Sequence, residues 1–331
     1  MKLAKLSVIL GIAVLSIGLW PAAATAQQPI VIRLGHVGFP GSLFDISGNK
    51  FAQEVNQALK GRVEVKVFHS SQLGSDEAMI KGIRVGAPEM QIPSTVMSTV
   101  DQRYGVFEMP YLIVSRAHVK KAAENPAVQK ALFEPLPSRG IRVLGVWENG
   151  FRHITNNVRP IVRPDDLKGI KLRVPGGVWR VKMFQAYGAN PSPMPFAEVY
   201  SALQSGVMDG QENPFSQISS AKFHEVQKFL SLTGHVYTPA YLTVGKTKWE
   251  SLPPDVRKIL EDTAKETQGF VYETAAKDDG DLLGKLKAAG MQVNDVDKDA
   301  FIAASRAIYE EFGKEVTGAK EVIDRAVALG K

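Results

Sequence analysis

The order in which hydrophobic periods follow one another constrains this chain more than any single motif in it. Ile30-Val31-Ile32-Arg33-Leu34-Gly35 is a short apolar run closed by glycine, the pattern of a buried strand. After the turn Phe39-Pro40-Gly41-Ser42, the residues Phe44, Phe51, Val55 and Leu59 recur at helical spacing, so 44–59 reads as a helix. Residues 62–68 alternate with period two, as a half-exposed strand does. Ser75 then stands as an N-cap, with Asp76 and Glu77 in the first turn of a helix that runs to Gly86. Strand, helix, strand and helix in that order argue an α/β domain. A second unit of the same kind starts near 141–146 and continues in a strand over 170–174, closed by Pro175-Gly176-Gly177. A helix is expected over 178–187, and another from Pro195, with Phe196, Val199, Tyr200 and Leu203 on one apolar face. There is a faint internal echo between 83–91 and 203–211: in both, a helix ends at glycine and a short strand leads toward a polar residue. The last third is helical, with one long amphipathic run from Pro253-Pro254-Asp255 to about 287 and two more helices over 300–312 and 321–329.

Residues 1–26 stand outside this pattern. Lys2 and Lys5, an apolar run over 6–20, Pro21 and the small residues Ala24-Thr25-Ala26 make the three parts of a secretory signal, with cleavage expected after Ala26. The alternative is a short membrane anchor, but the apolar run falls short of the about 20 residues that a spanning helix needs. No second run of that length follows, so a soluble protein of the periplasm is expected. The chain of 331 residues has no cysteine, which removes disulfides, thiolate chemistry and a lipoprotein anchor. Its net charge of +6 is scattered, without a run of like charges. That argues against nucleic acid as a partner, although a mildly basic cleft attracts anions.

Four features carry possible chemistry. Arg173 lies inside the apolar strand Leu172-Arg173-Val174-Pro175, a setting that favours a pocket over open water. Guanidinium suits a carboxylate because its planar fork donates two parallel hydrogen bonds. Arg152 follows the turn Trp147-Glu148-Asn149-Gly150-Phe151, and there a pocket and the surface stand equally open. Asp209-Gly210-Gln211-Glu212-Asn213-Pro214 is a polar cluster that could bond ligand hydroxyls, or be a surface turn made of the usual turn residues. Phe196 lies on an apolar helix face, where core packing is the default. Enzyme signatures are absent. The stretch Gly280-Asp281-Leu282-Leu283-Gly284-Lys285 has the wrong spacing for a phosphate loop, and Asp295-Val296-Asp297-Lys298-Asp299 lacks the glycine and closing glutamate of a calcium loop. No metal site and no cofactor are expected.

Taken with Ser70-Ser71-Gln72-Leu73-Gly74, Phe107-Glu108-Met109-Pro110-Tyr111, the stretch Asp166 to Pro175 and Met194-Pro195-Phe196-Ala197-Glu198-Val199-Tyr200, these blocks give the chain a strong resemblance. It resembles the solute-binding subunits of tripartite ATP-independent periplasmic (TRAP) transporters, the DctP family. The resemblance implies a two-lobed α/β periplasmic binding protein with an interdomain cleft and a long bent helix crossing both lobes. It places 27–150 and about 239–278 in the first lobe, and 151–238 and about 279–331 in the second. It implies that Arg173 clamps a ligand carboxylate, that Arg152 and Asn213 support it, that Phe196 packs against it and that Asp76 reaches other parts of the ligand. Glu212 is added from the same polar block, and Val37, Ser94, Trp179 and either Tyr237 or Tyr241 are expected at the variable end of the cleft. Trp179, just after the Pro-Gly-Gly turn, mildly favours a ligand with a ring face. The implied partners are a small organic acid, a uronate-like sugar acid or a C4-dicarboxylate among the options, and the TRAP membrane subunits, with the protein itself a monomer. An ATP-driven transporter's binding protein and a ligand-sensing subunit are alternatives. A periplasmic enzyme is a further one, and its general base would have to be Glu212, Asp76 or His153.

Overall fold

The computed structural model describes residues 28–330, so the expected signal segment and its cleavage site after Ala26 lie outside the described residues. The first half of the chain contains β1 (Ile30–Gly35), α1 (Leu43–Ala58), β2 (Val63–Phe68), α2 (Asp76–Val85), β3 (Met90–Gln91) and α3 (Met97–Val100). A 3-10 segment, Gln102–Glu108, leads to α4 (Arg116–Glu124), α5 (Pro126–Leu132) and the long strand β4 (Ile141–Phe151). The middle holds β5 (His153–Asn156), β6 (Lys171–Val174), α6 (Val178–Ala186), β7 (Asn190–Pro193), α7 (Val199–Gln204), β8 (Gly210–Asn213), α8 (Phe215–Ser220) and β9 (Phe229–Ser231). The rest is β10 (Tyr237–Gly245), α9 (Lys246–Ser251), α10 (Pro254–Ala288), β11 (Gln292–Asn294), α11 (Lys298–Ala304), α12 (Arg306–Glu315) and α13 (Ala319–Leu329).

Two sheets result, one in the order β2-β1-β3-β10-β4 and the other β11-β9-β5-β8-β6-β7. In the first, β2, β1 and β3 are parallel; in the second, β7, β6 and β8 are. The chain passes from one sheet to the other at Arg152, the single residue between β4 and β5, and returns between β9 and β10. The local signals that place the helices are present. Ser75 caps α2 by accepting from the Ala78 amide, and Gly86 ends it with a φ of 89°, a left-handed value that a glycine adopts without strain. The faint echo is real in the topology. β3 lies between β1 and β10, β8 lies between β5 and β6, and Gln91 and Gln211 are fully buried at matching places in the two.

Two helical expectations change. The helix expected over 300–312 breaks at buried Ser305, whose hydroxyl donates back to the Phe301 carbonyl and bonds the Tyr187 hydroxyl. The break lets the two halves serve different cores: Phe301 packs with Leu172, Met183 and Phe184, whereas Ile308 and Phe312 pack with Tyr104 and Trp179. α13 continues in that second cluster, with Val322 and Ala326 beside Val119 and Val128. Pro195 precedes its helix rather than opening it, because the first turn, Phe196–Glu198, is 3-10.

The long helix α10 has 35 residues, about 52 Å at 1.5 Å per residue. Trp147 is tied to it through an indole N–H donated to the Ala264 carbonyl at 3.0 Å. The stretch Gly280 to Lys285 lies inside this helix, so it is no phosphate loop. A Cβ added at Gly269, Gly280 or Gly284 would meet nothing within 4 Å. Each glycine-to-alanine change there should therefore raise stability by about 0.5–1 kcal/mol, read as a shift of the urea midpoint at constant m-value.

Candidate functional site

A narrow cavity lies between the sheets and is lined by Val37, Phe44, Asp76, Ser94, Thr95, Val96, Asn149, Arg152, Arg173, Pro175, Phe196, Asn213 and Gln217. The topology explains the choice of residues. Val37 follows β1, Ser94 and Thr95 follow β3, Arg173 and Pro175 end β6, Phe196 follows β7, and Asn213 ends β8. These are the carboxyl ends of parallel strands, where an α/β sheet leaves a crevice. Phe44, Asp76 and Gln217 stand in the first turns of α1, α2 and α8, so three helix N-termini approach the same space. Across the mouth the lobes meet closely at 175–177. A Cβ on Gly176 would lie 2.5 Å from Glu77 Oε1, and one on Gly177, whose φ is +132°, 2.7 Å from Ser98 Oγ.

Two arginines face the cavity, and they are held differently. Arg173, 3 % exposed, donates from Nε and Nη2 to the Met194 carbonyl at 2.9 and 2.6 Å. Its guanidinium carbon lies 5.7 Å from the centre of the Phe196 ring. Among the described residues it has no carboxylate in contact, and Glu212, Asp76 and Glu77 attract it only from a distance. Burial accordingly pushes its pKa down to about 10. Arg152 is paired. Its Nε and Nη2 donate to the Glu212 carboxylate, and Nη2 also reaches the Glu212 carbonyl at 2.6 Å and Asn213 Oδ1 at 3.0 Å. Each arginine thus keeps Nη1 without a protein partner among the described residues.

Behind Arg152 runs a buried chain of charges. Arg180 donates from Nη1 to Glu212 Oε2 and from Nε to Glu108 Oε2, both at 2.7 Å, and His235 Nε2 lies 3.1 Å from Glu212 Oε2. Burial alone would raise the Glu212 carboxyl, but Arg152 and Arg180 together hold it well below the usual carboxylate range. Glu212, expected at the ligand, does not line this cavity, and its charge is spent on two arginines.

Asp76 does face the cavity. Burial pushes its pKa up to about 7, Glu77 adds to the rise, and a hydrogen bond from Gln91 Nε2 at 3.0 Å works against it, as does Arg173. The echo between the lobes reappears in the side chains here. Gln91 holds Asp76, while Gln211 accepts from Asn213 Nδ2 and donates to Thr155 Oγ1.

Trp179 does not line this cavity either. It is fully buried, edge-on to Phe312 with ring centres 4.8 Å apart, and fills the space left by the missing side chain of Gly105. It shows no ring face to the cavity. Tyr237 and Tyr241 are likewise core residues, with Tyr241 packed against Tyr104 at 5.3 Å, and neither lines the cavity. His153 stacks on Phe215 at 4.3 Å, accepts from the Gly234 amide and has its pKa pushed down to about 3 by burial, so it too lies away from the cavity. Sequence reasoning missed Phe44, Thr95, Gln217 and, although its motif was noted, Asn149. Asn149 donates to Ser94 Oγ at 3.2 Å and accepts from Gln217 Nε2 at 3.4 Å. Their signal was positional, since Thr95 follows a strand, Asn149 lies near the end of β4, and Phe44 and Gln217 stand in a helix's first turn.

A larger open groove of about 2060 Å³ lies between α10 and α4–α5, lined by Lys120, Glu124, Glu261 and Lys265 among others. These exposed charges of both signs include Arg142, already paired with Glu261, whereas Arg173 is buried without a carboxylate in contact among the described residues, so the cavity at Arg173 is the candidate site. Among the described residues no cluster of histidine, aspartate or glutamate is arranged to hold a metal ion.

Residues 34–315 match the family described as bacterial extracellular solute-binding protein, family 7, DctP. The 2,3-diketo-L-gulonate-binding periplasmic protein YiaO of Escherichia coli is 35% identical over 300 residues, 89% of this chain and 91% of that one. A TRAP periplasmic solute-binding protein from Polaromonas, solved with bound D-erythronate, superposes with a TM-score of 0.86 at 32% identity, covering 90% of this chain and 98% of that one. The sugar acid binding protein DctPAm from Advenella mimigardefordensis, in complex with galactonate, gives a TM-score of 0.87 at 32% identity over 92% and 98%. Fold, strand-end cavity and sequence agree, and the chain belongs to the DctP family of TRAP-type periplasmic solute-binding proteins.

Proposed function

We propose that this protein captures the carboxylate of a small organic acid on Arg173 and presents it, lobes closed, to the membrane subunits of a TRAP transporter. One observation carries the reading: Arg173 is a buried guanidinium that opens on a cavity and has no protein carboxylate to neutralise it. A ligand carboxylate supplies the missing charge through bonds of about 1.5–3 kcal/mol each. Arg152 and Asn213 offer further donors from a rigid frame, and Phe196 packs against the clamp. The converging helix N-termini favour an anion in the same place. Binding without turnover fits the site, because among the described residues Asp76 is the one carboxylate on the cavity wall and Glu212 is already paired. We place the protein in the periplasm after removal of residues 1–26. The first lobe comprises 27–150 and about 239–278 and the second 151–238 and about 279–305, with 306–329 packed back on the first.

The ligand class follows from charge. Arg152 is neutralised by Glu212, and Asp76 brings a negative end to the cavity opposite Arg173. A monoacid carrying hydroxyls, a sugar acid, fits this pattern better than a C4-dicarboxylate; the relatives include both kinds, one bound to galactonate and another to succinate, so the charge pattern carries the choice. Affinity against pH separates the two. A hydroxyl donating to Asp76 needs the ionised carboxylate, so sugar-acid affinity should weaken as pH falls from about 8 to about 6, through the titration of Asp76. A second ligand carboxylate needs protonated Asp76 and would bind more tightly over the same fall. Calorimetric titration at several pH values gives the sign, and Asp76→Asn should flatten the dependence. A flat profile in the unaltered protein would remove Asp76 from the ligand's reach.

A further inference from the structure

Behind the Ser94-Thr95 turn lies a second, much smaller chamber, with room for about one water. It shares Ser94 and Thr95 with the cavity at Arg173, and these two residues form the partition between the spaces. The chamber is polar. Glu108, 2 % exposed, spends Oε2 on Arg180, and its Oε1 has no hydrogen-bond partner among the described residues. The Tyr241 hydroxyl and Thr95 Oγ1, also on the chamber wall, are equally unpartnered there. Polar atoms that line a small chamber in this way can bond a water or a ligand hydroxyl placed in it.

Ser94 is fixed as a divider. Its hydroxyl donates to the Pro239 carbonyl at 2.6 Å and accepts from Asn149 Nδ2 at 3.2 Å, so the side chain is held from both sides. Pro239 stands at an irregularity in the pairing of β10 with β4, which turns its carbonyl toward Ser94 instead of into the ladder.

We propose that Ser94 sets the length of acid the site accepts, by walling off a polar chamber that would otherwise take the hydroxylated tail of a longer acid. The inference rests on the reading that Arg173 holds the carboxylate. With the head group fixed there, the tail runs toward the Ser94 wall and stops. The chamber beyond suits a neutral hydroxyl, since Glu108 Oε1 accepts and a second carboxylate would meet that anion. In the unaltered protein the space is large enough for one water, bonded to the same groups.

The test is calorimetric titration of the full protein with four-, five-, six- and seven-carbon aldonates, alongside Ser94→Gly and Ser94→Ala. Opening the wall should shift the preferred length upward by one or two carbons in Ser94→Gly, tightening the longest acid by about tenfold or more. Ser94→Ala, which loses the two anchoring bonds but keeps Cβ, should move in the same direction by less, and it serves if the glycine variant does not fold. Adding Tyr241→Phe, which removes one hydroxyl from the chamber, should cancel the gain. An unchanged length ranking in a variant that still binds the short acid overturns the partition. Failure of the unaltered protein to bind any aldonate, with dicarboxylates bound instead, overturns the sugar-acid reading and takes this inference with it.

Discussion

Arg173→Met is expected to abolish acid capture while leaving the ligand-free protein at least as stable as before. The pairing is unusual for a buried arginine, and it follows from how Arg173 is held. Its hydrogen bonds end on a carbonyl, and no carboxylate touches it, so the cost of taking its charge out of water is not returned within the protein. A thioether of similar reach removes that cost and keeps the packing on Phe196. Binding loses the charge-assisted bonds, about 2–5 kcal/mol, or thirty- to several-thousand-fold in Kd. Urea unfolding without ligand and calorimetry with it measure the two halves separately. A variant that unfolds more easily and still binds its acid would contradict the assignment.

Glu212→Gln should do the reverse to the fold. Arg152, Arg180 and His235 all converge on that carboxylate, and all are buried. An amide satisfies some of the hydrogen bonds and none of the charge, leaving two buried guanidinium groups against Glu108 alone. Breaking a buried pair in this way costs about 3–5 kcal/mol, a sizeable part of a domain's stability. The same cluster predicts acid lability. The Glu212 carboxyl is held below its ordinary pKa, so its contribution is complete above that ordinary value and lost as pH falls through the lowered one. Burial lowers His235 to about 4, so between its ordinary value and there the unfolded chain holds the extra proton, and stability falls as the pH falls. A Glu212→Gln variant within about 1 kcal/mol of the parent would mean that the charges are not paired as described.

The parts of the molecule legible in the sequence are those set by neighbouring residues. Ser75 and Gly86 bracket α2 because a cap and a left-handed glycine act within one turn. Arg173 stood out because an arginine between leucine and valine, just before a proline, has few ways to reach water. Glu212 did not, since its strand reads as turn residues, and its partners come from α6, the β4–β5 crossing and the segment before β10. The surroundings of Trp179 were hidden for the same reason. The sequence shows the turn before it, but the gap it fills is made by Gly105, in a segment that only the fold brings near. Asn149 and Gln217 gain meaning only when a strand end and a helix start are set side by side.

The two glycines at the mouth of the cleft reach further than the turn they make. Where the lobes meet, main chain on one side lies close to the Glu77 carboxylate and the Ser98 hydroxyl on the other, so the rim seats closely only while no side chain stands between them. An acid that lets the turn seat gives one shut outline, whatever its hydroxyl pattern; an acid slightly too bulky holds the rim ajar. The rim therefore works as a gauge remote from the chemistry it checks. On the proposed reading, the outer surface would then report occupancy and not the identity of the cargo.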